Sequence, residues 1–277
     1  MKFKGATLMF VNGKRMFWFV GLIVLFLSAC STVPISGRRQ LSLIPSGEIN
    51  SMSFNSYKEF LASHKLSADT GKTQMVKNVG RNIQNAVEQY FSQNNMSSRL
   101  EGYAWEFNLV EDEAVNAWCM PGGKVVVFTG ILPVTRDATG LAVVMGHEIA
   151  HAVANHGNER MSQGLMVQMG GTALSKALED KPEETRNLFL TSFGLGTQVG
   201  VLLPYSRLHE NESDHLGLIF MAMAGYDPRS AVDFWERMAT QKSGGAPPEF
   251  LSTHPSDKTR IENIKSLLPE ALRYYKP

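Results

Sequence analysis

Residues 144–151 read V-M-G-H-E-I-A-H, and the spacing of the two histidines restricts the fold more than any other feature of the chain. Residues four apart stand one above the other on an α-helix. His147 and His151 therefore converge on one point only if this stretch is helical and faces a cleft. Two imidazole nitrogens placed so can bind one tetrahedral metal ion, and Zn²⁺ is the usual occupant of such sites. Glu148 projects beside that face, close enough to take a proton from a water on the ion. The run Leu141 to Ala154 contains no proline. Ala142, Met145, Ile149 and Val153 recur at helical spacing away from the histidines, which predicts a helix packed into the core on that side.

A zinc site with two histidines on one helix needs a third protein ligand, the fourth position being left for water. Downstream, Ser206 to Asp214 read S-R-L-H-E-N-E-S-D. Glu210 and Asp214 are four apart and share a helix face, so Glu210 can supply the carboxylate. Asp214 can accept the outer N–H of a ligating histidine and fix its tautomer. Glu212 is a rival ligand, but no carboxylate follows it four residues on.

The remainder of the chain supplies an address and a scaffold. Lys2, Lys4, Lys14 and Arg15 precede a 12-residue apolar run from Met16 to Leu27, the length of a signal-peptide core rather than a membrane span. The run ends in L-S-A-C. That ending resembles a bacterial lipobox, which implies cleavage before Cys30, lipidation of its thiol and a membrane anchor of acyl chains. Ser31 after such a cysteine implies the outer membrane, facing the periplasm. Residues 1–29 are thus expected to be a lipoprotein signal peptide and 30–45, with Pro34, Gly37 and Pro45, an extended lipidated tether. The net charge is +1 over the 277 residues and −3 without residues 1–29, which argues against a nucleic-acid partner. With Cys30 lipidated, Cys119 has no disulfide partner and reads as a small buried hydrophobe.

Amphipathic helices are predicted from Ser46 to Ser63 and from Thr70 to Phe91. Between Trp105 and Ile131 the period shortens to two, giving strands over Trp105 to Val110, Ala114 to Met120 and Lys124 to Thr129, with a turn at Pro121-Gly122-Gly123. An edge strand of that sheet can pair with an extended peptide and present it to the metal. Leu188 to Leu203 reads as a buried helix rather than a span.

Taken together, H-E-x-x-H, S-R-x-x-E-x-E-x-D, Thr253-His254-Pro255 and Arg260 resemble the M48 family of zinc metallopeptidases. The likeness is to its small lipoprotein branch, related to mitochondrial Oma-type and bacterial periplasmic members. The resemblance implies an α+β fold over 46–277: a mostly helical zincin-like metalloprotease domain with a small antiparallel sheet beside the active-site helix. It implies one Zn²⁺ held by His147, His151 and Glu210, Glu148 as general base, and Asp214 and Arg260 behind the ligands. Asn116, Ala117 and Trp118 match the strand that lines the substrate cleft. His254 is placed near the metal, where it either donates to the oxyanion, the role we expect, or occupies zinc's open position and silences the enzyme. The implied function is endoproteolysis of misfolded or unfolded cell-envelope proteins. The alternative is an envelope chaperone or adaptor with a structural zinc, against which the presence of Glu148 argues.

Overall fold

The computed structural model describes residues 30–169, 182–192, 206–240, 248–254 and 258–276. The described chain opens with β1 (Cys30–Thr32) and β2 (Arg39–Leu41), which pair antiparallel. The segment expected to be an extended tether is therefore a packed hairpin. Pro34 and Gly37 belong to its turn, where Gly37 takes φ 63° and donates its N–H to Val33 O at 3.0 Å. Val33 and Ile44 are buried, and Gln40 donates through Nε2 to Ala154 O at 2.8 Å. Turn residues read as a linker whenever the contacts that fold them back come from distant sequence. The expected signal peptide and the Cys30 side chain lie outside the described residues.

Helices α1 (Ser46–Ser63) and α2 (Thr70–Gln93) follow. α2 buries Val76, Val79, Ile83, Val87 and Phe91 along one stripe, and the Asp69 side chain caps it by accepting from Lys72 N. Three strands then form one sheet: β3 (Glu106–Val110), β4 (Ala117–Met120) and β5 (Lys124–Phe128), in the order β3-β5-β4. β4 and β5 pair antiparallel, as expected, but β3 and β5 run parallel, so the sheet is mixed rather than wholly antiparallel. Alternating hydrophobicity identifies strands and their faces but not their neighbours. The chain leaves β3, crosses to the far edge for β4 and returns to insert β5 between them. At Gly123 the turn approaches Trp105 so closely that a Cβ would lie 2.4 Å from its ring.

The two faces of the sheet serve two cores. Phe107, Leu109, Ala117, Cys119, Val125 and Val127 face the larger one, whereas Val110, Trp118, Met120, Val126 and Phe128 face the smaller one with Ile49 and Tyr57 of α1. Cys119 is a buried free thiol. Beyond the sheet come the short α3 (Leu132–Thr135), then α4 (Ala138–Val153), α5 (His156–Met169), α6 (Pro182–Ser192) and α7 (Arg207–Met223). The chain closes with α8 (Ser230–Thr240), α9 (Glu249–Thr253) and α10 (Lys258–Ala271).

α4 carries H-E-x-x-H and is buried on every side from Gly140 to Val153, so its histidines face interior rather than an open cleft. It crosses α7 where Gly146 meets Gly217. A Cβ on Gly217 would stand 3.0 Å from the Gly146 carbonyl carbon and from His147 N. The absence of both side chains lets the two helices that bear the candidate ligands meet backbone to backbone. No helix among the described residues is long and apolar enough to cross a membrane. Of the expected buried helix over Leu188 to Leu203, residues 188–192 end α6, and the rest lie outside the described residues.

Candidate metal centre

α4 and α7 aim three of the expected ligands at one point. His147 Nε2 and His151 Nε2 are 3.1 Å apart, and Glu210 Oε1 lies 3.2 Å from His151 Nε2. Ser206 caps α7 by accepting from His209 N, which fixes where the first turn places Glu210. The fourth member is His254, the residue after α9, whose N–H donates to Phe250 O at 2.8 Å. It closes a helix end rather than opening one. Its Nδ1 is 3.2 Å from His147 Nε2 and 3.0 Å from Glu210 Oε1. Each of the four residues offers a donor atom, and these atoms all lie within 4.8 Å of one another.

This cluster fits a zinc ion. Zn–N bonds of about 2.0–2.1 Å place neighbouring tetrahedral ligand atoms roughly 3.3 Å apart, close to the separations here. Imidazole nitrogens facing each other at 3.1 Å share at most one proton. A cation between them satisfies every lone pair at once.

The groups behind the ligands hold them in that pose. Asp214 Oδ1 lies 2.9 Å from His147 Nδ1, where it accepts the outer N–H. Arg260 donates through Nε and Nη2 to Asp214, each at 2.8 Å, and its Nη1 is 2.7 Å from Glu210 Oε2. The guanidinium lies over the Trp235 ring, 3.5 Å from its centroid. Burial pushes the Glu210 and Asp214 carboxyls up, but the Arg260 charge together with the neighbouring histidines outweighs it and holds both below their ordinary range. Burial opposes charge on His147, yet its bonds to Asp214 and Glu210 prevail and raise its pKa. His151, with burial dominant, is held well below the ordinary histidine value.

Glu148 differs from all of these. It is 4% exposed, and its Oε1 accepts no hydrogen bond although His254 Nε2 lies 3.4 Å away. Burial raises its pKa to about 7, so the carboxyl takes up and gives up protons near neutrality.

Two expected features land elsewhere. Ala117 and Trp118 do lie on an edge strand, and Asn116 O just before it accepts from Phe128 N at 3.1 Å. The Trp118 ring, however, packs edge-on against Phe60, with centroids 4.9 Å apart, in the smaller core rather than in a cleft. Glu212, considered as a rival ligand, turns to the opposite face of α7 into a second polar cluster. There Arg38 binds Glu159 through two nitrogens at 2.7 and 2.8 Å and Glu212 at 3.0 Å. Ser36 Oγ donates to Glu212 at 2.6 Å, His156 Nε2 lies 3.1 Å from Glu212 and His209 Nε2 lies 3.0 Å from Glu159. Burial pushes both carboxyls up, but these partners hold each at about 2. Burial keeps His156 down at about 4. None of Arg38, His156, Glu159 and His209 was legible as a site residue. The one local signal was Asn155, which takes φ 63° and ends α4 in time to swing His156 back toward it.

Comparison with known proteins agrees with this geometry. The profile of peptidase family M48 matches residues 78–268. The chain belongs to that family. It is accordingly a metallopeptidase, and zinc is the ion of the donor cluster. The mitochondrial metalloendopeptidase OMA1 of Schizosaccharomyces pombe is 35% identical over 93% of this chain and 74% of its own length. The human mitochondrial metalloendopeptidase OMA1 is 30% identical over 91% of this chain and 48% of its own. The β-barrel assembly-enhancing protease of Escherichia coli is 24% identical over 87% and 48%. The chain thus spans about half the length of several relatives it matches. The likeness is to the family and does not single out its lipoprotein branch. The bacterial outer-membrane location expected from the N-terminus is overturned, because six relatives at 30–38% identity are all mitochondrial by name.

Proposed function

We propose that this chain is a zinc endopeptidase acting on extended, unfolded or misfolded stretches of protein. The observation that carries the reading is Glu148: a buried carboxyl whose Oε1 accepts no hydrogen bond, beside three histidines and a glutamate gathered on one point. A structural metal site has no use for such a group, which is why the chaperone or adaptor reading ranks second. His147, His151 and Glu210 would hold the ion. Zinc, when bound, polarises a peptide carbonyl and acidifies a water molecule. Glu148 Oε1 takes the proton of the attacking water and delivers it to the departing amine. Asp214 keeps His147 in the tautomer whose Nε2 lone pair faces the site, and Arg260 keeps Glu210 and Asp214 ionised. The outer edge of β4 is the place for an extended substrate, bound through main-chain hydrogen bonds.

Of the two roles weighed for His254, its position supports that of fourth donor. Its Nδ1 shares the ligand cluster, and the cluster is closed, with His147, His151, Glu210 and His254 each between 2% and 4% exposed. His254 then latches the site until the residues around it move. The test is digestion of casein by wild type, Glu148→Gln and a chelator-treated control. The variant retains zinc and loses on the order of 10²–10⁴ in turnover, as loss of a general base does. Substantial digestion by a zinc-loaded Glu148→Gln sinks the mechanism.

A further inference from the structure

One buried contact joins the two polar clusters: His156 Nδ1 lies 3.0 Å from His151 Nδ1. Both rings are buried, at 0% and 3% exposure. Two imidazole nitrogens at that distance make a hydrogen bond only if one carries the hydrogen and the other is bare. The far side of His156 decides which. Its Nε2 faces Glu212 Oε2 at 3.1 Å, and an ionised carboxylate only accepts. Glu212 is kept in that form by Arg38 and by the hydroxyl of Ser36. His156 therefore carries its hydrogen on Nε2 and turns a bare Nδ1 toward His151, with Ser213 Oγ 3.2 Å away as a second donor to it. His151 must then hold its own hydrogen on Nδ1. Its Nε2 lone pair is left facing His147 and Glu210.

We propose that His156 is a positioning residue for the metal ligand His151, fixing its ring and tautomer from behind while Glu212 and Arg38 fix His156. The inference rests on the metal reading above. It also gives every acid of E-x-E-x-D a task. Glu210 enters the donor cluster, Asp214 holds the outer nitrogen of His147 directly, and Glu212 holds that of His151 through an intervening imidazole.

The proposal is tested in the full chain by two measurements. In protein labelled with ¹⁵N-histidine, long-range ¹H–¹⁵N correlations show His151 protonated at Nδ1 and His156 at Nε2. The reverse assignment at either ring overturns the proposal, and this measurement needs no variant to fold. Zinc affinity is then measured by competition with a chelator, with circular dichroism to establish folding. His156→Leu, which offers nothing to the His151 N–H, weakens zinc roughly 10–100-fold. His156→Asn, whose side-chain oxygen accepts in place of Nδ1, stays within a few-fold of wild type. Equal affinity in all three folded chains, or equal weakening in both variants, overturns the proposal. His147→Ala separates the two levels: full zinc retention there brings down the metal site itself. Its loss there, with full affinity in His156→Leu, brings down only the role of His156.

Discussion

The two buried clusters on either side of α4 are built from the same residue types and do opposite things. Around Arg38, two glutamates and two histidines surround a guanidinium, so the chain supplies its own cation and the carboxylates are saturated with donors. Around His147, three imidazoles and a glutamate bring four donor atoms within 4.8 Å of one another, while the guanidinium of Arg260 pairs with Glu210 and Asp214 and lies beside His147, its Nη2 3.3 Å from both ring nitrogens. The lesson is that histidines and acids in a core become a ligand set where their donor atoms converge on one point, as they do around His147 and not around Arg38. Residue type does not separate the two; the convergence of the donor atoms does.

The sharpest way to break that contrast is to empty the ligand set. His147→Ala or Glu210→Ala is expected to abolish tight zinc binding, reducing metal content from about one equivalent per chain to near none. Full occupancy in Glu210→Ala would mean that another carboxylate serves. The matching change in the closed cluster is Arg38→Ala, which strands two buried carboxylates. Arg38 is partly exposed at the surface, so a loss of about 1–3 kcal/mol is expected, above that of an exposed pair and short of a fully buried one. The sign with pH follows. Glu159 and Glu212 sit at about 2, below the ordinary value near 4.3, so the native state binds fewer protons than the unfolded chain between those values. Their stabilisation is complete above about pH 5 and is lost as pH falls toward 2. Urea melts of wild type and Arg38→Ala should therefore converge as pH falls through that window; a constant gap would mean the two carboxyls are not what Arg38 holds. The smallest effect is expected at His254→Ala, with zinc retained roughly tenfold less firmly, about 1.4 kcal/mol, and proteolysis increased. Reduced proteolysis at unchanged zinc affinity would return His254 to the oxyanion.

His147, His151, Glu210 and Asp214 were legible because helix geometry dictates their spacing. Each lies four residues from a partner, and the structure brings the first three together with Asp214 behind His147. His254 joins them from the end of α9, with no spacing to announce it. The second cluster was not legible because its parts come from β2's hairpin, α5 and α7, and no local period links Arg38 to Glu159 or Glu212. The same reason hid the hairpin itself. Pro34 and Gly37 describe a turn, while the contacts that make it part of the body lie more than a hundred residues away. The parallel pairing of β3 with β5 was equally invisible, since a strand's composition does not name its neighbour.

The crossing at Gly146 and Gly217 has a consequence for how this protein tolerates change. A methyl group at either position would push backbone against backbone, and the helices would separate by a few tenths of an ångström. Metal–ligand distances are held to about 0.2 Å, so that shift is as large as the whole tolerance of the site. The two glycines therefore act as a calibration of the instrument. Side chains far from this crossing can change without touching it, but the first one to appear there displaces both ligand-bearing helices at once.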